Sequence, residues 1–97
     1  MDFLIIAYDG TDAGAPQRRQ KAREGHLQRA QRMREEGHLV EGGAILNEQG
    51  GMIGSTLYMR FDDRQALQDY IDNDPYVTGQ VWEKIEVKPI KLVKFNE

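Results

Sequence analysis

The residues Phe3-Leu4-Ile5-Ile6-Ala7-Tyr8 form an unbroken apolar run closed by Asp9-Gly10, and this run restricts the fold more than any other feature. A strand with one face in water alternates apolar and polar side chains. A run without alternation predicts a strand covered on both faces and central in its sheet. The chain has 97 residues, which predicts one domain over residues 1–97 with a thin core for its surface. Such a chain has few elements available to cover a second sheet face.

Downstream, Thr11 to Ala15 is a small-residue loop, and Pro16 fits the first turn of a helix running to about Glu36, where its missing N–H is not needed. Ala22, His26, Ala30 and Met33 recur at spacings of four and three, an inward stripe that Leu27 widens. Gly37 is a C-terminal cap. His38 to Leu46 reads as a second strand, with Gly42-Gly43 marking a bulge or a close backbone approach rather than a phosphate cradle. After a turn at Asn47 to Gly51, a third strand from about Gly54 to Phe61 places Ser55, Leu57, Met59 and Phe61 on one face and Thr56, Tyr58 and Arg60 on the other.

Asp62 or Asp63 can cap a second helix whose stripe is Ala66, Leu67, Tyr70 and Ile71. Asp74 must leave helical geometry because Pro75 follows it. The last stretch, Val81 to Phe95, holds Ile85 and Val87 in one phase and Ile90 and Leu92 in the other. Pro89 lies at the switch, which calls for a bulge or an edge position. This order is the ferredoxin-like βαββαβ arrangement of the α+β class, two helices covering one face of an antiparallel sheet. Apolar residues on both phases of the first and last strands predict that the other face is buried by a second copy, in a homodimer packed sheet against sheet.

A net charge of -3 lacks the basic footprint that nucleic acid selects, so no nucleic-acid partner is expected. Arg18, Arg19, Lys21, Arg23, Arg29, Arg32 and Arg34 are interleaved with Glu24, Glu35 and Glu36 and read as a solvated helix face. The chain has no cysteine, which removes thiol chemistry and fits a reducing, cytoplasmic setting. The N-terminal apolar run lacks a basic flank and is far shorter than the roughly 20 residues a membrane helix needs, so it reads as a strand and no membrane partner is expected.

His26 is the residue that calls for chemistry, since a titratable ring on an inward stripe needs a reason. It reads either as a core histidine bonded to a backbone carbonyl or as a general base or acid, its unperturbed pKa of about 6.5 suiting proton transfer near neutral pH. Asp74 is the matching carboxylate, able to orient the ring, or else a simple Asp-Pro turn former. Arg23, on the same helical surface, could hold a substrate carboxylate in a bidentate fork, or is an exposed arginine. Ser55 is either a pocket hydroxyl or a strand-start serine. Tyr8 and Tyr76, beside polar or turn residues, are pocket candidates, whereas Trp82, Tyr58, Tyr70 and Phe61 read as core or dimer-face aromatics. The stretch Gly51 to Thr56 lacks a Gly-Lys-Ser/Thr ending and precedes a strand, which removes it as a nucleotide motif. His26 and His38 match no metal-ligand spacing, so neither metal nor cofactor is expected.

The segments Arg23-Glu24-Gly25-His26-Leu27, Gly37-His38-Leu39, Gly54-Ser55-Thr56, Asp74-Pro75-Tyr76 and Val87-Lys88-Pro89, in this order along nearly the whole chain, resemble the YciI-like (YCII-related) family. The resemblance implies a dimeric α/β barrel related to muconolactone isomerase and other cofactor-free enzymes, with a histidine–aspartate active site that would here be His26 and Asp74. Aromatic-ring dehydrochlorination is associated with some relatives. Three features depart from the pattern: Glu24 and Ala44 stand where relatives often have proline, and the Asn47 to Gly51 loop is short. The pocket rim, and with it the substrate, is where these departures act.

Three functions follow as expectations. The first is a cofactor-independent lyase or isomerase for a small anionic or cyclic molecule, with His26 as base or acid, Asp74 orienting it, and Arg23 or Ser55 positioning substrate. The second is a non-catalytic metabolite-binding or regulatory dimer using the same cleft. The third is a purely structural dimer, in which His26 and Asp74 lie too far apart to hydrogen-bond.

Overall fold

The apolar run of Phe3 to Tyr8 occupies the middle of the sheet. In the computed structural model, which describes residues 1–95, strand β1 (Asp2–Asp9) pairs antiparallel with both β3 (Met52–Arg60) and β4 (Trp82–Ile90), and β2 (Leu39–Leu46) pairs with β3. The order across the sheet is β2-β3-β1-β4. Helices α1 (Ala15–Glu35), α2 (Arg64–Asp72) and the short α3 (Pro75–Thr78) complete the described elements. This is the α+β ferredoxin-like fold. No helix among the described residues is long and apolar enough to cross a membrane.

Local chemistry sets the helix ends. Gly37 adopts φ 83° after α1, and the His38 N–H reaches the Met33 carbonyl at 2.8 Å, closing the helix as only a left-handed residue allows. Of the two aspartates that could cap α2, Asp63 does so, accepting from the Ala66 N–H at 2.8 Å. Asp74 has left helical geometry at φ −73° and ψ 138°, and in doing so it caps α3, with Pro75 in the first turn. That third helix is absent from the sequence reading, because four residues are too few to carry a period.

The core lies between the helices and one sheet face. Phe3, Ile5 and Ala7 of β1 meet Leu57 and Met59 of β3, Leu67, Tyr70 and Ile71 of α2, and Tyr76 of α3. Each fully buried large apolar side chain contributes about 1.5–3 kcal/mol by leaving water. The opposite face carries half-buried Leu4 and Ile6, with Tyr8 43% and Tyr58 37% exposed.

Three expectations about the strands are corrected. The last strand stops at Ile90, and the Leu92 N–H turns back to Asp2 Oδ2 at 3.0 Å. Of the two explanations for Pro89 the edge position holds, since it pairs in register with Phe3 on the edge strand β4, and the bulge of this strand lies at Glu83, opposite Tyr8 and Asp9. Its outward phase is charged, with Lys84, Glu86 and Lys88 in register with Tyr8, Ile6 and Leu4. Gly42 and Gly43 pair regularly with Leu57 and Thr56, and the register shifts fall on either side of them.

Candidate active site

The buried stripe of α1 begins at Ala15, about two turns before Ala22. Ala15, Arg19 and His26 are its buried members, and Ala22 and Met33 are half-buried, whereas Leu27 is 45% exposed. Next to His26, Gly25 faces α3: a Cβ there would sit 3.2 Å from Pro75 Cγ. The missing side chain lets the two helices close, which brings His26 to Asp74.

His26 Nδ1 lies 2.7 Å from Asp74 Oδ2. The Tyr76 backbone N–H donates to the same oxygen at 3.0 Å, and Arg29 Nη1 donates to Oδ1 at 3.2 Å. Asp74 is 0% exposed and His26 6%. With guanidinium and backbone N–H groups already donating, the carboxylate serves as acceptor, so the hydrogen-bond network assigns a proton to His26 Nδ1 and leaves a lone pair on Nε2. Nε2 has no partner among the described residues.

Aromatic rings fix the imidazole. Tyr76 stacks on it at 3.8 Å between centroids and 8° between planes, and Trp82 meets both rings edge-on at 5.7 and 5.6 Å. Burial raises the Tyr76 phenol above its ordinary pKa, opposed by Arg19 and Arg23. Tyr70, beneath Asp74, is also raised, by burial first and then by the neighbouring carboxylate; its hydroxyl has no hydrogen-bond partner among the described residues.

Beside the imidazole lies a second polar cluster. Arg19 Nη1 contacts both carboxylate oxygens of Asp9 at 2.9 Å, and Arg19 Nη2 donates to Ser55 Oγ at 3.2 Å. Trp82 Nε1 donates to the same Ser55 Oγ at 3.1 Å. Arg19 is 6% exposed, which corrects its assignment to a solvated face, as does the contact of Arg29 with Asp74. The signal for Arg19 was present: it lies three residues before Ala22 and seven before His26, on the same stripe. Asp9 and Trp82 carried no comparable signal, because one closes a strand and the other reads as core.

A cleft of about 300 Å³ opens between α1 and the β2–β3 side of the sheet. His26, Ser55, Tyr76 and Arg19 line it, with exposed Arg23 at its rim and Gly42-Gly43 leaving space opposite. Of the sequence-derived candidates, His26, Asp74, Ser55, Tyr76 and Arg23 are thus brought together. Tyr8 is not, since it projects from the opposite sheet face. Its neighbour Asp9, in the other phase of β1, reaches the site instead. Among the described residues no three histidine, aspartate or glutamate side chains converge as metal ligands would.

The cleft and its residues can be set beside known proteins. The chain is 35% identical over 97 residues to Protein YciI of Escherichia coli O6:H1, covering 94% of this chain and 99% of that one. It is 36% identical over 99 residues to an uncharacterized protein of Haemophilus influenzae, covering 96% and 99%. Among solved structures, 5-chloro-2-hydroxyhydroquinone dehydrochlorinase (TftG) from Burkholderia phenoliruptrix AC1100, in complex with 2,5-dihydroxybenzoquinone, aligns over 100% of both chains with a TM-score of 0.85 and 25% identity. A dimeric ferredoxin-like protein of unknown function from Jannaschia sp. CCS1 shares the fold at a TM-score of 0.56 and 15% identity, over 94% and 98% of the two chains. The YCII-related domain model matches residues 1–91, and with these relatives it establishes that the chain belongs to the YCII-related domain family.

Proposed function

We propose that this chain is a cofactor-independent lyase or isomerase that moves protons on a small, oxygenated ring, with His26 as general base and acid and Asp74 as its orienting carboxylate. The observation that carries the proposal is the 2.7 Å contact between two buried groups at the wall of a cleft. An imidazole whose Nδ1–H is held by a carboxylate offers Nε2 to a substrate proton and gains stabilisation when it becomes charged. The likeness to a dehydrochlorinase supports a polyhydroxylated, ring-halogenated substrate.

The chemistry balances without a cofactor. His26 Nε2 takes a proton from one ring hydroxyl and returns it to the ring carbon bearing chlorine, which becomes tetrahedral. Loss of a second hydroxyl proton then forms a carbonyl, shifts the ring double bonds, and expels chloride with the bonding pair. The products are a hydroxyquinone, chloride and one proton. Arg23 at the rim and Ser55 inside position the ring. Incubation with 5-chloro-2-hydroxyhydroquinone should release one chloride per quinone formed, above the spontaneous rate. Equal rates with and without protein would sink this substrate class.

The proposal takes the chain as a single cytoplasmic domain that pairs with a second copy through the free sheet face. Leu4, Ile6, Tyr8 and Tyr58 form the apolar patch that supports this. Sedimentation at micromolar concentration should report twice the 11.1 kDa chain mass, and a species of one chain mass would contradict it.

A non-catalytic metabolite-binding dimer is the second reading, favoured by the exposed guanidinium of Arg23 at the cleft rim, a group suited to holding an anion without converting it. Mass spectrometry of an added ligand separates the two, since an unchanged molecule favours binding alone. A purely structural dimer requires no contact between His26 and Asp74, and their separation speaks against it.

A further inference from the structure

From the hydrogen bonds around Ser55 we infer that its hydroxyl is a locked donor for a ring oxyanion, so that the cleft accepts molecules carrying a donor and an anionic or carbonyl oxygen on the same ring. This inference rests on the ring-substrate reading above and adds the second half of its recognition. A serine hydroxyl has two acceptor positions and one hydrogen. Both acceptor positions at Ser55 are filled, by Arg19 Nη2 at 3.2 Å and Trp82 Nε1 at 3.1 Å. Neither donor is free to leave. Arg19 is anchored by two contacts to Asp9 and lies over the Tyr76 ring, 4.8 Å from its centroid, and Trp82 is buried at 6% exposure.

The hydrogen of Ser55 therefore has one direction left, and it meets no acceptor among the described residues. Ser55 is 3% exposed and lines the cleft, where an unmade hydrogen bond is costly and a ligand oxygen would complete it. Accepting from a guanidinium polarises the hydroxyl and strengthens it as a donor. The negative charge of Asp9 is spent on Arg19, so it does not repel an anion placed beyond Ser55. His26 Nε2 supplies the opposite character, a fixed acceptor held by Asp74. Trp82 touches both groups, edge-on to the imidazole and bonded to the serine, so the acceptor and the donor belong to one wall. A ring whose hydroxyl faces His26 and whose developing oxyanion faces Ser55 satisfies both, and the charge then forms where the donor already points. Arg19 and Trp82 act through Ser55 as positioning residues.

The test uses the whole chain and two probes that do not turn over, 2,5-dihydroxybenzoquinone, which is anionic at neutral pH, and hydroquinone, which is neutral, with Kd measured by calorimetry. Ser55→Ala should weaken the anionic probe at least tenfold and hydroquinone less than threefold. Trp82→Phe, which keeps an aromatic ring against His26 and Tyr76 but removes the N–H that holds Ser55, should weaken the anionic probe severalfold, and this loss should vanish in the Ser55→Ala background, because the N–H acts on the probe through the serine. Matching circular dichroism for each variant keeps the comparison on folded protein. Unchanged binding of the anionic probe by Ser55→Ala overturns the inference. So does a wild type that fails to bind this probe while still releasing chloride from the chlorinated ring, a result that leaves the proposed function standing. Serine-dependent binding without chloride release sustains the inference and removes the proposed reaction.

Discussion

His26→Ala is expected to lower kcat/KM for the chlorinated ring by about 10²- to 10⁴-fold, the range supplied by a positioned general base or acid. Folding should survive. Asp74 keeps the Arg29 and Tyr76 N–H donors when the imidazole is gone, so no bare buried charge is created. The cost is the stacking against Tyr76 and a small cavity, about 2–3 kcal/mol by comparison with other large-to-small core changes. Chloride release and far-ultraviolet circular dichroism on the same preparation check both halves. Wild-type turnover in a folded variant would remove His26 from the mechanism.

Asp74→Ala should produce the largest loss of stability of any single polar substitution, about 3–5 kcal/mol, because removing one partner of a buried pair strands the others. The imidazole Nδ1, one Arg29 N–H and the Tyr76 N–H all lose their acceptor at once, and α3 loses its cap, itself worth about 1 kcal/mol. Asp74→Asn separates structure from chemistry. An asparagine still caps the helix, so denaturant unfolding should show a smaller loss. The amide cannot act as a charged partner for the ring, and it permits the wrong tautomer, so turnover should fall by at least about 10²-fold. An asparagine variant with full activity would make Asp74 purely structural.

Much of the fold was legible because each element carries its own periodicity. The alternation at Ser55, Leu57, Met59 and Phe61 agrees with their burial, and the four-and-three spacing on α1 located the inward stripe. Where the reading failed, two signals competed at one residue. Arg19 has the charge of a surface residue and the phase of a core residue, and in the folded chain the phase prevails. At Tyr8 and Asp9 the difficulty is another one: successive residues of β1 point to different faces, and only the packing of the helices on the Phe3, Ile5 and Ala7 face settles that Asp9, not Tyr8, reaches the site.

By itself, the sequence determined the kinds and order of the four strands and two long helices, the inward position of His26, and the break at Asp74, since these follow from backbone preference and side-chain period within a few residues. Tertiary structure alone decided that Arg19, Asp9, Ser55 and Trp82 form one cluster, and that Arg29 crosses to Asp74. Those contacts join residues 10 to 45 positions apart, and no local pattern encodes them. Their partners are chosen by how closely helices and sheet pack, and by the need of each buried polar group to find a complement once water is gone.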